Sequence, residues 1–108
     1  MTAKNRKFDT LLLGTVDEAL GSLGESAKQS IYFHIEKKLG VASHGIPENL
    51  EEFQTGLEKI FGVGARFIEI LIMKNLYAKI GVPLEIDKDC QLEFVEYVAA
   101  ARRSYLKQ

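Results

Sequence analysis

Apolar residues in this chain recur mostly three or four positions apart, the spacing that sets one face of a helix against a core. Phe8, Leu12, Val16, Ala19, Leu20 and Leu23 predict a first helix over residues 9–20 with Asp9 as N-cap. Gly14 weakens its middle, and Thr15-x-x-Glu18 fits a capping box for a later start. The Gly21-Ser22-Leu23-Gly24 turn ends it, and Ser22-x-x-Glu25 is a second capping box opening a helix that runs to Leu39. Ala27, Ile31, Ile35 and Leu39 form its buried stripe, with Tyr32 and Phe33 on the flanks. Lys37 and Lys38 suit the negative end of its dipole, and Gly40 supplies a left-handed C-cap.

Residues 41–46 read as a loop, after which Pro47 occupies the first position of a third helix. That helix turns Leu50, Phe53, Leu57, Ile60 and Phe61 inward and an acidic face, Glu48, Glu51, Glu52 and Glu58, outward. Gly62-Val63-Gly64 makes a short corner into the most apolar segment of the chain, a central helix from Gly64 to Ile80. Its apolar positions surround the axis, and Arg66, Glu69, Lys74, Asn75 and Lys79 scatter instead of forming a polar face. A helix apolar all round needs cover all round. Gly81-Val82-Pro83 ends it, residues 82–86 are extended, an edge strand at most, and Asp87 caps a fifth helix to about residue 106. Leu92, Val95, Val98, Ala99 and Leu106 face inward there, with Arg102, Arg103 and Lys107 at the C-terminal end. The predicted fold is all-α: one domain over residues 1–108, a bundle of about five helices around the central one, preceded by a basic tail over residues 1–7.

Composition narrows the function classes. With 14 basic against 15 acidic residues the net charge is −1, which gives no bulk attraction to nucleic acid or anionic membranes. One cysteine, Cys90, cannot form an internal disulfide. The Leu11-Leu12-Leu13 run is interrupted by Gly14, Asp17 and Glu18, so no signal-peptide core is present, and no apolar run reaches the roughly 20 residues of a membrane span. A cytoplasmic protein is expected.

The stretch from Val16 to Gly81 carries specific phrases: Leu23-Gly24-Glu25-Ser26, Tyr32-Phe33-His34, Ile46-Pro47, Ile60-Phe61-Gly62 and Ile70-x-Ile72-Met73. On these residues the chain resembles a small archaeal helical family, the Nitrosopumilus output domain, fifth type. The resemblance implies an output or effector module of signalling, one with no established activity and no catalytic residues to carry over, and it leaves mechanism open.

The candidate chemistry is sparse. His34 and His44 have no Cys/His cluster with which to build a metal site, and the stretch from Asp87-Lys88-Asp89 lacks the glycine and terminal acid of a calcium loop. Gly62-x-Gly64 follows a helix and meets Phe67 where a dinucleotide fingerprint needs glycine, so it is an interhelical corner. Free amides there, beside Arg66, offer a place for a small anion. Cys90 lies among Asp87, Asp89 and Glu93, which oppose thiolate formation. No triad or paired-carboxylate signature stands out, and no cofactor is called for. The expected function is therefore non-enzymatic: a homodimeric regulatory module whose partners are a second copy and a regulatory protein. Phe67, Ile70, Leu71, Lys74 and Tyr77 are the expected interface residues. Two alternatives stand beside it: a nucleic-acid regulator using Arg102, Arg103, Lys4, Arg6 and Lys7 with Tyr97 and Tyr105, and a ligand-binding bundle with a pocket among Tyr32, His34 and Tyr77.

Overall fold

A computed structural model describes residues 2–85 and 93–108. The described residues form five α-helices and no strand: α1 (Ala3–Gly21), α2 (Glu25–Leu39), α3 (Leu50–Phe61), α4 (Ala65–Ile80) and α5 (Phe94–Leu106). The predicted N-cap Asp87, together with Ile86, Cys90 and Leu92, lies outside the described residues.

Helix α1 starts at Ala3, six residues before the predicted start, because Thr2 caps it: the Thr2 hydroxyl accepts from the Asn5 amide at 3.1 Å. Lys4, Asn5, Arg6 and Lys7 thus belong to its first turns. Phe8, Leu12, Val16, Ala19 and Leu20 are fully buried along one face. Thr15, on the same face, satisfies its hydroxyl by donating to the Leu12 carbonyl at 2.8 Å. The Ser22 capping box does not form. Ser22 closes α1, its hydroxyl donating to the Ala19 carbonyl at 2.6 Å, and Gly24 with φ +109° sits at the start of α2. A residue already spent as the last cap of one helix is not free to open the next.

Helix α2 ends as predicted on a left-handed Gly40. The loop after it tightens into a 3-10 turn over Ser43–Glu48 that takes in Pro47, so α3 begins three residues later than the proline suggested, with Asn49 at its N-cap position. Val41, Ile46 and Pro47 are buried, which makes this connection part of the core. Gly62 with φ +58° and a second 3-10 turn, Gly62–Gly64, lead into α4, which ends on left-handed Gly81.

Helix α4 is the centre of the bundle, packed against α1, α3 and α5, while α2 closes the other side of α1 and α3. Ala65, Ile68, Ile72, Met73, Leu76, Tyr77 and Ile80 are buried on its inward arc. Phe53 of α3 meets Phe94 of α5 with ring centroids 6.4 Å apart, and Phe8 meets Tyr105 at 5.8 Å. On α5 the buried residues are Phe94, Val98 and Ala101, whereas predicted inward residue Leu106 is exposed at the helix end.

The even wrapping of α4 does not hold within one chain. Phe67, Lys74 and Ala78 are exposed and Ile70 and Leu71 partly so, following i, i+3, i+4, i+7 and i+11 along one flank. Periodicity was blurred because two residues take the side opposite to their polarity. Phe67 faces out at 76% exposure, and Glu69 faces in at 4%.

Candidate interaction surface

The corner between α3 and α4 projects side chains away from the core. Gly62 takes a backbone conformation open to few other residues, the tight turn that follows lifts Val63 to 95% exposure, and Phe67 lies one helical turn further on. Ile70 and Leu71 extend this apolar surface along α4, and Arg66 and Lys74 border it. Four of the five residues expected at an interface, Phe67, Ile70, Leu71 and Lys74, therefore share the open flank. Tyr77 is on the other side: it is 7% exposed, and its hydroxyl donates to the Tyr97 carbonyl at 2.7 Å, fastening α4 to α5. Burial pushes the Tyr77 hydroxyl up from the usual phenol range, and the carbonyl it meets suits the neutral form.

Beside the flank is a cleft of about 600 Å³ lined by Gln54, Glu58, Gly62, Val63, Ala65, Arg66, Glu69 and Glu93. Burial first, and then the neighbouring Glu58, raise the Glu69 carboxyl above the usual carboxylate range, opposed by a long 3.5 Å hydrogen bond from Gln54 and by Arg66. Among the described residues no group of three His, Cys, Asp or Glu side chains is placed to hold a metal ion.

The proposed ligand pocket is taken apart by the fold. Tyr32 lies at the α1–α2 contact, where it donates to Asp17 at 3.1 Å; burial and this bond raise its hydroxyl. His34 is exposed on the side of α2 that faces α3, and Tyr77 is under α5. Tyr32 and His34 line two separate clefts, on different sides of α2. The basic ends fare similarly. Arg102 donates to Asp9 at 2.6 Å and to Asn5 at 3.1 Å, with its guanidinium 4.5 Å from the centre of the Phe8 ring. Lys4 donates to the Gln108 carbonyl and stands over the Tyr105 ring. These cations are spent in holding α1 to the end of α5, which leaves Arg6, Lys7, Arg103 and Lys107 as the exposed charges of that end.

Sequence reasoning missed one feature of α3. Gly56 is buried where α2 crosses, and a side chain there would meet the Cγ1 of Ile35 at 2.9 Å. The visible signal was its position three residues after Phe53 and four before Ile60, on the face assigned to the core.

No protein-family model matches the chain, and neither does any curated protein or any solved structure.

Proposed function

We propose that this chain is a non-catalytic interaction module that pairs with a second copy of itself through the open flank of α4, and that the pair serves in regulation through protein contacts. One observation carries the reading: Phe67 and Val63, 76% and 95% exposed, stand together at the head of an apolar flank that includes Ile70 and Leu71. An apolar strip rimmed by charge is the usual mark of an interaction site. Burying each Phe67 contributes about 1.5–3 kcal/mol, and a two-fold axis uses each such residue twice. The net charge of −1 sets no long-range repulsion between copies. Support for a regulatory role is the resemblance of the Val16 to Gly81 stretch to archaeal output modules.

Sedimentation at micromolar concentration tests the pairing. The wild-type chain is expected to run as a dimer, and Phe67→Asp as a folded monomer, because Phe67 contributes little to the core of its own chain. A wild-type monomer over the whole range, or a Phe67→Asp dimer of unchanged affinity, refutes it.

A further inference from the structure

Between α2 and α3 runs a groove of about 470 Å³, lined by His34, Ile35, Lys38 and Leu39 from one helix and Gly56, Lys59 and Ile60 from the other. Its floor is apolar. Gly56 lets the helices approach until its missing side chain would stand 2.9 Å from Ile35 and 3.1 Å from Leu39, and Ile60 is left 38% exposed at one wall. Its rim is basic. His34, Lys38 and Lys59 are all exposed, none makes an ion pair among the described residues, and no carboxylate lines the groove there. Lys28 is engaged by Asp17 and Glu25 and Lys79 by Glu18, whereas Lys7, Lys37, Lys74 and Lys107 are exposed as Lys38 and Lys59 are, so it is the concave apolar floor between them that sets this pair apart.

Helix dipoles account for a lysine near the end of each helix. They do not account for an uncovered isoleucine in a concave place that two lysines also line. We propose that this groove binds a small amphiphilic anion, a carboxylate on an apolar chain. The chain lies on Ile35, Leu39 and Ile60, and the carboxylate accepts hydrogen bonds from the Lys38 and Lys59 ammonium groups, with His34 at the same rim. A groove of about 470 Å³ falls within the size range of small-molecule sites.

Octanoate, octanol and octyltrimethylammonium, titrated into the full chain and followed by amide NMR shifts and calorimetry, separate the outcomes. Octanoate is expected to saturate shifts at His34, Lys38, Gly56 and Lys59, with octanol weaker and octyltrimethylammonium inactive. Lys38→Glu together with Lys59→Glu is expected to weaken octanoate at least about tenfold, as the loss of charge-assisted hydrogen bonds requires. Should that variant lose helicity, Lys38→Gln with Lys59→Gln carries the same comparison. Octanoate that fails to saturate, equal binding of octanol, unchanged affinity in the lysine variants, or shifts confined to the Phe67 flank would each overturn the assignment. So would an acidic amphipathic peptide that shifts these amides where octanoate does not.

Discussion

Replacing Gly56 by alanine sets two effects of known size against each other. In a helix interior, alanine is favoured over glycine by about 0.8–1.0 kcal/mol. At Gly56 the added carbon would stand 2.9 Å from Ile35 Cγ1 and 3.1 Å from Leu39 Cδ1, and the first of these is too close for the Ile35 side chain to remain where it is. Overpacking of this kind costs about 1–3 kcal/mol, so the variant should lose up to about 2 kcal/mol net. Gly14 supplies the control. It too lies within a helix, but the nearest atom to an added carbon is Lys79 Nζ, the far end of a long side chain, at 3.8 Å, an ordinary contact. Gly14→Ala should therefore gain the propensity term of about 1 kcal/mol undiminished. The two variants are expected to differ by about 1–3 kcal/mol, or about 4–12 °C in melting temperature for a domain of this size. Thermal melts by circular dichroism, with urea unfolding for the free energies, measure the difference. If Gly56→Ala melts at or above Gly14→Ala, the close crossing of α2 and α3 is not as described and the floor of the groove between them is lost with it.

Glu69 binds its proton more tightly when folded than when unfolded, so its burial costs nothing below its ordinary value of 4.5 and costs stability as pH rises through the folded value. Glu69→Gln should therefore gain on the wild type between pH 4.5 and neutrality, and parallel stability–pH curves for the two would contradict this. Arg102→Ala should cost about 1.5–3 kcal/mol through its lost bonds to Asp9 and Asn5, and the Asp9→Ala, Arg102→Ala double variant less than the sum of its parts; additive urea-unfolding energies would show that the pair does not couple.

Most of the helices were legible because their signals are local. Gly40 and Gly81 end α2 and α4 in left-handed conformations, as residues without a side chain can, and the three- and four-residue spacing of Phe8, Leu12, Val16 and Ala19 marks the buried face of α1 whatever lies opposite. Failures arose where two local signals competed for one residue. Ser22 fits both the end of α1 and the start of α2, and only the chain path between the helices decides in favour of the first.

The amino-acid order by itself determined the all-α class, the order of the helices and the central place of α4, since periodicity and capping depend on neighbours within a few residues. Only the tertiary structure decided which arc of α4 stays open, that Tyr77 turns inward while Phe67 turns out, that Arg102 is spent on Asp9, and that Gly56 admits α2. Each of those depends on which helix comes to lie against which. Helix pairing brings together residues as far apart as Asn5 and Arg102, and no spacing along the chain encodes that separation.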